Sequence, residues 1–127
     1  MRCDPEHVSL RTLIVDDNAR FLQAARDLLE REGIAVVGVA STSDEALRRA
    51  AELRPDVTLV DVYLGAESGL DLARRLSVQG DSERARVILI STYAESDFPD
   101  LATVSPAIGF VSKADLSASA IKKALGG

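Results

Sequence analysis

Four places in the chain carry residues that could do chemistry together. An apolar run in "TLIVDDNARF" stops at two adjacent carboxylates, Asp16 and Asp17. A second run ends at Asp61, a third at Ser91-Thr92, and a fourth at Ser112-Lys113. Three carboxylates gathered in one crevice repel strongly in a low dielectric and require protons or a cation beside them. Hard oxygen donors with room for water suit Mg²⁺, which also meets phosphate oxygens. A lysine and a hydroxyl at the same rim would complete a site for a transferring phosphoryl group, acting by electrostatic stabilisation. An aspartate placed there can itself be the nucleophile and form an acyl phosphate.

That chemistry requires a fold that brings the four places together. Five short runs rich in Val and Ile, at 12–15, 34–40, 57–60, 87–90 and 108–111, are nearly continuous in apolar residues. Runs of this kind read as strands buried on both faces. Helical stripes lie between them. Phe21, Leu22, Ala25, Leu28 and Leu29 form the first, and Gly33 is its stop. Thr42 and Glu45 have capping-box spacing ahead of Ala46, Leu47, Ala50, Ala51 and Leu53, and Pro55 ends that helix. Leu70, Leu72, Ala73 and Leu76 make a third stripe. A short fourth helix is expected after Pro99, over Leu101, Ala102 and Val104, closed by Pro106. Leu116, Ala120, Ile121, Ala124 and Leu125 make the last, before Gly126-Gly127. Strand and helix alternate five times, which predicts an α/β, doubly wound, five-stranded parallel sheet of flavodoxin-like (βα)5 type. In the order 2-1-3-4-5 the switch point lies beyond strands one and three, where ligands bind. Asp16, Asp17 and Asp61 should converge there.

The totals agree with a single unit of this kind. The 127 residues suit one domain with one core, and 46% are hydrophobic. A net charge of −5 leaves no basic footprint for nucleic acid on this chain. Cys3 is the sole cysteine, so an internal disulfide and a thiolate metal cluster are both excluded. No apolar stretch approaches the roughly 18 residues of a membrane helix, and the first ten residues carry no signal-peptide core. The expectation is a cytoplasmic domain over 10–127 behind a leader at 1–9, with Cys3 and His7 idle in that leader.

The motifs "IVDDN", "LVDVYLGAESGLDLARRL", "VILIST" and "GFVSK" together resemble the receiver domain of two-component response regulators, from about residue 11 to residue 125. The intervals of 44 residues from Asp17 to Asp61, 30 to Ser91 and 22 to Lys113 match the family's usual spacing. The resemblance implies that Asp61 accepts a phosphoryl group from a sensor histidine kinase or phosphotransfer protein. It implies that Asp16, Asp17, Asp61 and the backbone carbonyl of Tyr63 hold Mg²⁺. Lys113 would pair with the phosphoryl oxygens, or with Asp61 in their absence. Ser91 would bond the phosphoryl group and draw its loop inward, and Phe110 would be the switch aromatic that follows it. The output would be a changed surface around the fourth helix, fifth strand and fifth helix, which would also serve a homodimer. Self-phosphorylation and self-dephosphorylation are implied, without turnover of external substrates.

Some positions depart from the family's pattern. Gly65 stands where many receivers have proline. Ala114 replaces the proline that often follows the lysine, so the Lys113–Ala114 bond is expected to be trans. Tyr63 and Tyr93 occupy the two positions that flank the path of the hydrolytic water, and Thr92 is larger than the common alanine. These three would shield the acyl phosphate; the plain alternative places both rings on the surface away from the site. "SKADLS" resembles receivers that carry helix-turn-helix outputs, which makes the regulatory, dimerising part of a DNA-binding protein the second reading. A scaffold that never takes phosphate is a third, although all five site residues are kept. A phosphatase of another doubly wound family would carry an aspartate two residues after the nucleophile, where this chain has Tyr63. Arg48-Arg49 and Arg74-Arg75 read as solvated helix faces.

Overall fold

The computed structural model describes residues 10–64, 67–79, 86–92 and 109–125. Five parallel strands form one sheet: β1 (Arg11–Val15), β2 (Ala35–Ala40), β3 (Val57–Asp61), β4 (Arg86–Ser91) and β5 (Gly109–Ser112). Their spatial order is β2-β1-β3-β4-β5, the predicted doubly wound order. The helices are α1 (Ala19–Arg31), α2 (Ser43–Leu53), α3 (Gly69–Gln79) and a short α4 (Ala118–Ala124). The expected helix at 99–104 lies outside the described residues, as do the leader, Gly65, Tyr93, Ile108 and the terminal glycines.

The middles of the strands are mostly apolar because each face has its own core. Ile14, Leu59, Ile88 and Ile90 point into a cluster closed by Leu22, Ala25 and Leu29 of α1 and Ile121 of α4. Leu13, Val15, Val60 and Leu89 point the other way, under Ala46 of α2 and Leu72, Ala73 and Leu76 of α3. A period-2 backbone sends neighbours to opposite faces, so both positions of each pair must be apolar.

The ends of the elements follow local rules with informative exceptions. Gly33 sits at φ +92°, the left-handed conformation that stops α1. Ile34 still donates its N–H to Leu29 O at 2.9 Å, so β2 begins one residue later than its apolar run. Thr42 Oγ1 accepts from Glu45 N–H at 3.2 Å, as the capping box requires. The return bond, however, runs from Ser41 N–H to Glu45 Oε1 at 2.9 Å, and it holds the Glu45 carboxyl below its ordinary value. Ala51, counted in the apolar stripe of α2, faces solvent. Leu116 precedes the last helix: a 3₁₀ turn (Lys113–Asp115) intervenes, and Ser117 caps α4 by accepting from Ala120 N–H. No cis peptide occurs among the described residues, so Lys113–Ala114 is trans as expected.

One cap joins distant parts of the chain. Glu32, just past α1, accepts from Ala118 N–H at 2.6 Å with its Oε1. A carboxylate at a helix N-terminus satisfies an orphan donor and meets the positive end of the dipole. Glu32→Ala is expected to cost about 1 kcal/mol, and Glu32→Gln less, because it keeps the acceptor. Urea denaturation would show this as a lower midpoint at unchanged slope; an unmoved midpoint for Glu32→Ala would contradict it.

Candidate functional site

The carboxyl ends of β1, β3 and β5 meet at one rim. Asp16 is the first residue beyond β1 and is fully buried. Asp17 beside it is exposed. Asp61 is the last residue of β3 and 6% exposed. One carboxylate oxygen from each lies within 4.8 Å of the others. Lys113, the first residue beyond β5, reaches back across the rim. Its Nζ stands 2.5 Å from Asp16 Oδ2 and 3.2 Å from Asp61 Oδ2. The approach to Asp16 is that of an ion pair rather than a well-angled hydrogen bond.

The remaining carboxylate oxygens are held by backbone. Asp16 Oδ1 accepts from Asn18 N–H at 2.8 Å. Asp61 Oδ1 accepts from Tyr63 N–H at 3.1 Å. Asn18 is also the N-cap of α1: its Oδ1 takes the N–H groups of Arg20 and Phe21 at 3.0 and 3.1 Å. The acidic turn and the helix start are thus one hydrogen-bonded unit.

Burial raises the Asp61 carboxyl above its ordinary value, the Asp16 charge raises it further, and Lys113 and the Tyr63 N–H hold it back. Burial works against the Lys113 ammonium, but Asp16 and then Asp61 outweigh it, so this group too lies above its ordinary value. Two inward carboxylates and one ammonium leave an excess negative charge. A further cation relieves it, and three clustered hard oxygen donors fit Mg²⁺ or Ca²⁺ in chemical type.

The other predicted residues that the structure describes lie at or near the carboxyl ends of the strands. Ser91 ends β4, is 1% exposed, and pairs in register with Ser112 of β5. Thr92 follows it and is exposed. Phe110 of β5 is half-buried, packs against the α2/α3 core and lines a cavity of about 250 Å³ with Val111, Ser112, Asp115 and Lys123. Tyr63 is 56% exposed. It opens a two-residue ribbon in which Tyr63–Leu64 pairs antiparallel with Glu67–Ser68. Tyr93 lies outside the described residues.

Three residues that shape the site were not read from the sequence. Asn18 ties the acidic turn to α1, and an Asn directly before a helical pattern is a visible N-cap signal. Gly69, the first residue of α3, donates its N–H to Val62 O at 2.9 Å. A Cβ there would overlap the carbonyl oxygen of Asp61. A glycine opening a helical stripe just after a site is its only local mark. The ring of Phe21 covers the Lys113 ammonium, with Nζ 4.4 Å from the ring centroid. In the sequence Phe21 reads as one more core-facing residue of α1.

A model of the response regulator receiver domain matches residues 12–125. Response regulator GacA from Pseudomonas viridiflava is 32% identical over 82% of this chain and 48% of its own length. Transcriptional regulatory protein YvfU from Bacillus subtilis (strain 168) is 32% identical over 93% of this chain and 60% of its length. The chain therefore spans about half the length of these curated relatives. Among solved structures, a response regulator from Burkholderia pseudomallei, crystallised with a phosphorylated aspartic acid, a calcium ion and citrate, superposes with a TM-score of 0.77 at 31% identity. That match covers 92% of this chain and 66% of the other. An acidic crevice at the switch point of a 2-1-3-4-5 sheet, with a family match across nearly its whole length, places this chain in the response regulator receiver domain family of two-component signalling.

Proposed function

We propose that this chain takes a phosphoryl group onto Asp61 from the phosphohistidine of a sensor histidine kinase or phosphotransfer protein. The observation that carries the reading is the Lys113 ammonium set between Asp16 and Asp61, with the three carboxylates clustered beneath it. The Asp61 carboxylate forms the new bond to phosphorus as the phosphorus–nitrogen bond of the donor breaks. Burial and the neighbouring Asp16 make that carboxylate more basic than an exposed one, which favours it as a nucleophile. Lys113 leaves its pairing with Asp61 to meet the phosphoryl oxygens while Asp16 retains it. Mg²⁺, held by Asp16, Asp17, Asp61 and the Tyr63 carbonyl, would supply positive charge to those oxygens. Ser91 bonds the phosphoryl group, Phe110 follows it, and the surface around β5 and the last helix changes. That surface is the proposed site of homodimerisation. The chain turns over no external substrate, needs no nucleic acid or membrane, and works in the cytoplasm.

The test is intact mass after incubation with Mg²⁺ and acetyl phosphate. The wild type should gain one phosphoryl group and lose the ability when the metal is chelated. A wild type that gains none from acetyl phosphate or from a phosphorylated phosphotransfer protein would leave a receiver-shaped scaffold instead. The lengths of GacA and YvfU, and the description of YvfU as a transcriptional regulatory protein, favour one finer reading. In it this unit is the regulatory part of a DNA-binding regulator, and phosphorylation drives its dimerisation.

Tyr63 and Thr92, exposed at the rim, together with Tyr93, are proposed to shield the acyl phosphate from water. Tyr63→Asn is expected to speed self-dephosphorylation by about tenfold, a change of about 1.4 kcal/mol in barrier. The decay of phosphorylated protein after donor removal measures it, and an unchanged decay would sink the shielding role.

A further inference from the structure

The Lys113 ammonium has three N–H donors and three surroundings: Asp16 Oδ2, Asp61 Oδ2 and the face of Phe21. We infer that Phe21 is a positioning residue for phosphoryl transfer, the third wall that keeps this ammonium aimed at the reacting carboxylate. The inference rests on the function proposed above. A cation within about 6 Å of a ring centroid is attracted by the ring quadrupole, more strongly where water is excluded. Here the distance is 4.4 Å, and the Lys113 side chain is only 15% exposed.

The backbone that carries the ring is itself tied to the site. Phe21 N–H is held by Asn18 Oδ1, and Asn18 N–H is held by Asp16 Oδ1. Phe21, Asn18, Asp16 and Lys113 therefore close a loop of contacts around the ammonium. Its consequence is mechanical. When a phosphoryl group occupies Asp61, Lys113 must move toward the new oxygens without escaping to solvent. A quadrupole attracts a cation over its whole face, so the ammonium can slide across the ring while it changes partners. An aliphatic side chain fills similar space but offers no such attraction, and the third N–H then competes for water.

The experiment uses two readouts on the whole chain. Lys113, Lys122 and Lys123 are its only lysines, so the Lys113 ε-methylene signals can be assigned by their loss in Lys113→Arg. In the wild type they should be shifted upfield by the ring current, and in Phe21→Leu they should return to the position of the exposed lysines. Phosphorylation by acetyl phosphate should slow about fivefold in Phe21→Leu, a loss on the scale of one partly desolvated cation–π contact. It should stay near the wild-type rate in Phe21→Trp, which keeps the stronger quadrupole. A space-filling role alone would not distinguish Trp from Leu in this direction. If the wild type is phosphorylated but shows no ring-current shift, or if Phe21→Leu reacts at the wild-type rate, the positioning role is overturned and the function stands. If the wild type takes no phosphoryl group from any donor, the functional reading falls and this role with it. Should Phe21→Leu fail to fold, the wild-type shift and the Phe21→Trp rate decide the matter.

Discussion

Asp61→Asn should take no phosphoryl group, and in metal-free buffer at neutral pH it should be more stable than the wild type. Both outcomes come from the same charges. Asp61 is the carboxylate proposed to receive phosphorus, and an amide cannot form the acyl phosphate. In the resting chain two buried carboxylates share one ammonium, with Asp17 adding a third charge at the rim. Replacing Asp61 by Asn leaves a one-to-one pair of Asp16 and Lys113 and removes the repulsion. The gain should be on the order of 1 kcal/mol, or about 4 °C in Tm for a domain of this size.

Its pH dependence has a definite sign. Burial and Asp16 raise the Asp61 carboxyl in the folded chain. Below the unfolded value of about 3.9 the group is protonated in both states and contributes no penalty. As pH rises from there through the raised folded value, the folded state must release a proton that it holds more tightly, and wild-type stability falls relative to the variant. The advantage of Asp61→Asn should thus be full above that window and vanish below it. Lys113 works in the opposite sense at the alkaline end: its contribution is complete below the unfolded lysine value of about 10.4 and is lost as pH rises through the higher folded value. Thermal melts of both proteins across pH would show this. A variant that melts lower than the wild type at neutral pH would mean that the Lys113–Asp61 pairing outweighs burial and repulsion.

Gly69→Ala should damage the site without touching a charged group. The new Cβ would overlap the carbonyl oxygen of Asp61 and lie 2.7 Å from its carbonyl carbon and 2.9 Å from Val62 Cα. All three atoms are backbone, so no flexible side chain can yield. The start of α3 is also tied to β3 by the bond from Gly69 N–H to Val62 O. Relief requires α3 to move away from the core formed by Leu72, Ala73 and Leu76, or the end of β3 to shift and take Asp61 with it. The expected cost is about 3 kcal/mol, at the upper end for overpacking, with a Tm lower by roughly 12 °C. Phosphorylation should also slow in the fraction that remains folded. Ala at 69 is otherwise a better helix residue than Gly, so an unchanged or raised Tm would show that the close approach carries no weight.

The fold was legible because its signals are local. Near-continuous apolar strands announced a two-faced sheet, and Thr42, Gly33 and Pro55 marked helix ends within a few residues of where they occur. Boundaries slipped where a bond reached past the pattern, as Ile34 N–H does to α1 and as the turn at Lys113–Asp115 does before α4. Strand order then placed Asp16, Asp17, Asp61 and Lys113 at one rim, because the alternation of strands and helices permits few other arrangements. Tertiary structure alone decided how those groups meet. That Lys113 leans closer to Asp16 than to Asp61, that Phe21 lids the ammonium, that Gly69 abuts Asp61 and that Glu32 caps a helix 86 residues away depend on sheet twist and helix docking. Most of these contacts join residues far apart in the chain, and they leave no periodic trace, since the directions that make them are set by the packing of the whole domain.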